Sequence, residues 1–261
     1  MKVLLGLLLA IFMFIGCSSD KEEDVLKVGM ELAYPPFEMS DKSGKPTGIS
    51  VDLAYALGEY LGKKVVIENI AWDGLIPSLK TKKIDIIISS MTITDERKKS
   101  IEFSIPYAQA SLAILANNKS NIQNISDLDK KGKTVAVKKG STGHLYVRDY
   151  FKNANILVLD KENACVLEVV QGKADGFIYD QLTIYKNYSN HKETTVALLK
   201  PFQTDAEYWG IALRHNEPEL KKNIDAFIKE AKKDGIFDDL SRKYLKDARA
   251  TFDKLKVAFF F

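Results

Sequence analysis

One order of elements occurs twice in this chain, and that repetition constrains the fold more than any other feature. Lys83-Ile84-Asp85-Ile86-Ile87-Ile88 is echoed by Lys173-Ala174-Asp175-Gly176-Phe177-Ile178. Ile84–Ile88 reads as a strand buried on both faces, and Gly176–Tyr179 as its counterpart strand. In the first half the run follows two strand–helix pairs. Leu26–Gly29 reads as a strand, and Leu53, Leu57 and Leu61 mark one face of a helix. Lys64–Glu68 is β-branched and strand-like, and Leu75–Lys80 is helical with Pro77 in its first turn. The second half repeats this order with strands at Thr134–Val137 and Ile156–Leu159 and helices at Leu145–Phe151 and Cys165–Gln171. Alternation of this kind predicts mostly parallel sheets covered by helices. In both halves the third strand ends on small or polar residues, Ser89-Ser90 and Asp180. Ligands of open α/β sheets bind beyond the carboxyl ends of the strands, so two facing units would enclose a cleft.

The expected organisation is one lobe from 25–106 with 210–250 and a second from 112–204, joined by crossing segments at 107–111 and 205–209. Glu217–Tyr244 reads as helical, interrupted at Gly235, with residues 251–261 a tail. The chain begins with Lys2, an apolar run from Val3 to Ile15, and Gly16-Cys17. That run is too short to span a bilayer and reads as a secretory signal over residues 1–16. Cys17 resembles the lipidated cysteine of a bacterial lipobox, with residues 17–24 a polar leash, which predicts export and a lipid anchor. Cys165 then has no disulfide partner and reads as a buried structural thiol.

Composition excludes little but helps. A net charge of +3 over 261 residues, with lysines interleaved among acids, gives no one-sided basic surface for nucleic acid. His144, His191 and His215 are scattered, and no metal spacing or nucleophile elbow is present. Neither a metal nor another cofactor is expected.

Gly48-Ile49-Ser50-Val51-Asp52-Leu53 is similar to the signature of family 3 extracellular solute-binding proteins, the polar-amino-acid binders of ABC importers. One position departs: the family has an acid where Ser50 stands, and a serine there can cap a helix start. The resemblance continues through Ala33–Glu38, Trp72–Leu79, Met91–Arg97, Val137–Gly143 and Tyr208–Ala212. It implies a two-lobed α/β periplasmic-binding-protein fold of type II, with the ligand in the inter-lobe cleft.

Arg97 is the natural partner for a ligand carboxylate, because guanidinium binds carboxylate bidentately and keeps its charge when buried. The family's matching arginine takes the α-carboxylate, with Ser90 and Thr92 matching its donors, and Ser89 lies beside them. Ser141 and Thr142, in a turn between strand and helix, can add backbone amides and hydroxyls. Asp180 matches the residue that meets the α-ammonium, and it also suits a helix N-cap. Tyr34 and Trp72 match rings that sandwich the ligand side chain. Glu31 stands where an acid meets a polar or cationic end, and Lys138 would disfavour a cation if it points inward.

The expectation is therefore a monomeric, lipid-anchored binder, not an enzyme, that delivers lysine, arginine or glutamine to an ABC permease in the inner membrane. Two other readings stay open on the same scaffold: an enzyme resembling the periplasmic dehydratases, and a ligand-binding sensory subunit.

Overall fold

The computed structural model describes residues 24–255. The expected signal segment and Cys17, the leash up to residue 23 and residues 256–261 lie outside the described residues.

The chain opens with β1 (Val25–Met30), followed by a small sheet of β2 (Ala33–Tyr34), β3 (Glu38–Ser40) and β4 (Pro46–Thr47). Next come α1 (Ile49–Leu61), β5 (Lys64–Asn69), α2 (Leu75–Lys80), β6 (Ile86–Ile87), α3 (Asp95–Lys98) and β7 (Glu102–Phe103). The chain then crosses through β8 (Ala108–Ala110) into β9 (Leu112–Asn117), α4 (Ile125–Leu128), β10 (Thr134–Lys138) and α5 (Thr142–Tyr150). It continues as β11 (Asn155–Leu159), α6 (Glu162–Val170), β12 (Gly176–Asp180), α7 (Gln181–Asn190) and β13 (Thr195–Leu198). A second crossing, β14 (Glu207–Trp209), leads back to β15 (Ala212–Leu213), α8 (Pro218–Lys233), α9 (Ile236–Tyr244) and α10 (Lys246–Leu255).

Two five-stranded sheets result, ordered β5-β1-β6-β15-β7 and β11-β10-β12-β9-β13. Three strands of each run parallel, through β1 with β5 and β6 and through β10 with β11 and β12. One strand of each sheet, β15 and β9, pairs antiparallel with both its neighbours, so it alone runs against the other four, and each enters its sheet straight from a crossing. Four strands of each sheet thus share one direction, as alternation predicted, and the single reversed strand is what alternation did not show. The crossings pair with each other, Glu207 opposite Ala110 and Trp209 opposite Ala108.

Burial explains the elements. Leu53 and Leu57 of α1 are fully buried, and the helix stops at Gly62, whose left-handed φ of 66° lets its N–H reach Glu59 O. The helix begins at Gly48, with φ 122°, where a Cβ would meet Phe37 O at 2.4 Å. Ser50 therefore does not cap this helix. It lies within the first turn, buried, and its hydroxyl donates to Glu38 Oε2 at 2.6 Å.

The tail expected from residue 251 also needs correcting. Residues 251–255 continue α10, and Phe252 is fully buried in the first lobe's core. Cys165 is buried as expected, and burial pushes its thiol up to about 12.

Candidate functional site

The carboxyl ends of β1, β6, β10 and β12 converge on one cleft of about 480 Å³. All eleven residues singled out in the sequence line it.

Arg97 is positioned by α3, whose N-cap Thr94 accepts from the Arg97 amide at 3.2 Å. Its Nη1 donates to Thr92 O at 2.6 Å and its Nη2 to Gly140 O at 3.0 Å, so it spans the lobes. Among the described residues it forms no ion pair. Burial lowers its pKa to about 10, opposed chiefly by the field of Glu207. This is a buried cation hydrogen-bonded to neutral acceptors, on which the Glu207 carboxylate acts through its field without forming an ion pair.

Asp180 is the acidic counterpart. It ends β12 and caps α7, accepting from the Thr183 amide at 3.0 Å through Oδ1. Its Oδ2 is buried with no hydrogen bond. Burial raises its pKa, against the lowering influence of the neighbouring Tyr34 hydroxyl and the Thr183 amide. A buried carboxylate oxygen without a well-formed hydrogen bond is uncommon, and it leaves this acceptor available.

Lys138, at the end of β10, reaches across the cleft and pairs with Glu31 at the end of β1. Its ammonium lies 5.3 Å from the centre of the Trp72 ring, and the Arg97 guanidinium carbon lies 5.3 Å from the same ring. Lys138 therefore points inward. Glu31 also accepts weakly from the Trp72 amide at 3.4 Å, while its own amide donates to Ser89 Oγ at 3.0 Å. Tyr34 has different surroundings from Trp72. Its buried ring stacks on Phe37 at 5.2 Å and meets Tyr179 and Trp209 edge-on.

Ser141 is the N-cap of α5 and accepts from the His144 amide at 3.2 Å. Thr142 opens that helix, and its hydroxyl donates to Glu207 Oε2 at 2.9 Å. The Thr92 hydroxyl donates to the same oxygen at 3.2 Å. Ser89 and Ser90 form the floor, both donating to Glu38, at 3.3 and 3.0 Å. Ser90 holds a left-handed φ of 50°, an uncommon conformation for a residue with a side chain.

Glu38, Leu112, Tyr179, Glu207 and Trp209 also line the cleft, and sequence reasoning missed them. Glu38 and Trp209 stand within segments that carried the resemblance, Glu207 one residue before such a segment, and Tyr179 beside Asp180. An acid among apolar neighbours, as in Phe37-Glu38-Met39, was the readable signal. Burial pushes the Glu38 carboxyl up to about 8 despite donations from Ser50, Ser90 and Ser89.

A buried cation and a buried acid, set in one cleft between two α/β lobes, define a binding protein of the two-lobed periplasmic class. The sequence pattern of the bacterial extracellular solute-binding proteins, family 3, matches residues 26–247, and the chain belongs to that family. It is 32% identical over 226 residues to the L-cystine-binding protein TcyJ of Escherichia coli K12, covering 86% of this chain and 84% of TcyJ. Two solved structures are similar. The ancestral amino acid-binding protein AncCDT-1, described as a precursor of cyclohexadienyl dehydratase, is 37% identical with a TM-score of 0.76, covering 85% of this chain and 95% of that one. An ancestral arginine-binding protein bound to glutamine is 34% identical with a TM-score of 0.76, covering 85% and 98%.

The first of these structures corrects the flat expectation that the chain is no enzyme. A protein this similar is a precursor of a dehydratase, so the scaffold borders on an enzyme lineage and a categorical exclusion does not hold. What the comparisons establish is narrower: the family and the similar structures are solute-binding proteins.

Proposed function

We propose that the cleft binds one free α-amino acid with a polar side chain, an amide such as glutamine foremost, and that lobe closure presents it to an ABC permease. The observation that carries this reading is the pair of opposite charges in the cleft. Asp180 Oδ2 is buried without a well-formed hydrogen bond, and Arg97 is buried without an ion pair among the described residues. An α-ammonium and an α-carboxylate satisfy both at once.

The side-chain preference rests on Glu31 and Lys138. An amide end offers one acceptor and two donors. Its carbonyl accepts from the Lys138 ammonium and its NH₂ donates to Glu31, so the separated ion pair keeps a partner on each side. A cationic end meets Lys138 as a like charge. An ancestral arginine-binding relative is solved with glutamine and also with arginine, so a similar cleft takes both kinds of side chain.

A cationic amino acid is the second reading. Four acids line the cleft (Glu31, Glu38, Asp180 and Glu207) against two cations, Arg97 and Lys138. Glu38, with a pKa pushed up to about 8, is largely neutral near pH 7, which reduces that excess.

The β8–β14 ribbon is the hinge in this reading, and Cys17 carries the lipid that tethers an exported, monomeric protein. Thermal unfolding against all twenty amino acids tests the proposal. A ligand at a hundredfold above its Kd stabilises by about 2.7 kcal/mol. A shift with glutamine and a smaller one with arginine and lysine is expected. A larger shift with arginine or lysine selects the cationic reading, and no shift with any amino acid removes both.

A further inference from the structure

Glu207 occupies a place in the cleft that neither the resemblance nor the charge pattern assigns. It stands on β14, in the ribbon that joins the lobes. Its Oε2 accepts from Thr92 Oγ1 of the first lobe at 3.2 Å and from Thr142 Oγ1 of the second at 2.9 Å. Gln203 Nε2 approaches the other oxygen at 3.5 Å. The field of Arg97 acts on the same carboxylate, so these are the donors and the cation that a ligand α-carboxylate would use.

A hydroxyl has one proton to donate. Thr92 and Thr142 cannot serve Glu207 and a ligand carboxylate together with the same O–H bonds. Two carboxylates in one desolvated site also repel, so both cannot stay charged there at low cost.

We propose that Glu207 is a built-in stand-in for the ligand: its carboxylate holds the Thr92 and Thr142 hydroxyls beside Arg97, and an amino acid binds by exchanging its α-carboxylate for it. This rests on reading the cleft as an amino-acid site. The exchange has two consequences. Glu207 weakens binding, because each ligand must displace a carboxylate that is already hydrogen-bonded. It also eases release, because the hydroxyls regain an acceptor as the ligand leaves. Since one oxygen links hydroxyls of both lobes, Glu207 draws the lobes together between binding events.

The test combines calorimetric titration of L-glutamine and L-arginine with small-angle scattering of the ligand-free protein. Wild type, Glu207→Gln and Glu207→Ala are compared, the glutamine variant keeping the shape of the side chain. Glu207→Ala is expected to bind whichever amino acid the wild type binds at least tenfold more tightly, with Glu207→Gln in between. The ligand-free Glu207→Ala protein is expected to have a larger radius of gyration than the wild type. Weaker binding in Glu207→Ala would make Glu207 a partner of the ligand and overturn the proposal, as would affinities and radii that do not change. If the wild type binds neither of these nor any other of the twenty amino acids, the reading of the cleft itself fails. The scattering comparison still decides whether Glu207 clasps the lobes, and equal radii overturn that too.

Discussion

Lys138 and Glu31 form an ion pair across the cleft, with side chains only 5% and 15% exposed, so one charge from each lobe is withdrawn from water. Removing one partner of such a pair strands the other and typically costs about 3–5 kcal/mol, whereas replacing both is far milder. Lys138→Met and Glu31→Gln should therefore each lower Tm, and the double variant should recover most of the loss. The interaction energy from a double-mutant cycle in thermal unfolding measures this directly. Glu31→Gln should also cost a cationic ligand more than an amide ligand in the same titrations. An unchanged preference would remove Glu31 from side-chain selection.

Asp180 has two separable tasks. Oδ1 caps α7, while Oδ2 has no partner. Asp180→Asn keeps an oxygen for the cap and removes the charge, so Tm should change little while amino-acid binding falls at least about thirtyfold, the loss expected for a buried charge partner. Asp180→Ala should lose both, adding about 1 kcal/mol of destabilisation from the missing cap. Equal binding by wild type and Asp180→Asn would show that the free oxygen does not meet the ligand ammonium.

Glu38 gives a pH dependence of known sign. Burial raises its folded pKa to about 8, above the ordinary value near 4.5. Its contribution to stability is full below about pH 4.5 and is lost as the pH rises through 8, since only the unfolded chain ionises freely in between. Each pH unit in that window costs up to about 1.4 kcal/mol. Glu38→Gln cannot ionise, so its Tm should fall less than that of the wild type between pH 5 and pH 9. Parallel Tm profiles would mean that Glu38 is already ionised in the folded protein at neutral pH.

The sequence made the repeated strand–helix order and the polar ends of the third strands readable, because buried strands and amphipathic helices leave periodic patterns. It placed Arg97 and Asp180 near one cleft, since each follows an apolar third strand, while Glu31 and Lys138 were placed there only by the family resemblance. It did not reveal that Lys138 pairs with Glu31, because that contact joins residues 107 positions apart across two lobes. Glu38 and Glu207 were hidden for a related reason. An acid in a short strand reads as solvent-facing unless the hydroxyls that surround it are known, and those come from Ser50, Ser89, Ser90, Thr92 and Thr142 on other elements. The reversed strands β9 and β15 were equally illegible, because their direction depends on where the crossings re-enter and not on local pattern.

Phe252 shows how far the fold extends beyond the expected boundary at residue 250. It is fully buried on α10, and its ring meets the edge of Tyr185 of α7 at 6.2 Å, so a helix at the end of the first lobe touches the second. Tyr185 Oη donates to Thr251 Oγ1 at 3.4 Å beside it. A phenylalanine-to-alanine change at a buried site costs about 3–5 kcal/mol through lost contacts and the cavity left behind. Phe252→Ala should therefore lower Tm by well over 5 °C, whereas Asp253→Ala, at an exposed position on the same helix, should leave it nearly unchanged. Equal Tm values for the two variants would mean that α10 does not pack on the domain in solution, and that the folded unit ends with α9.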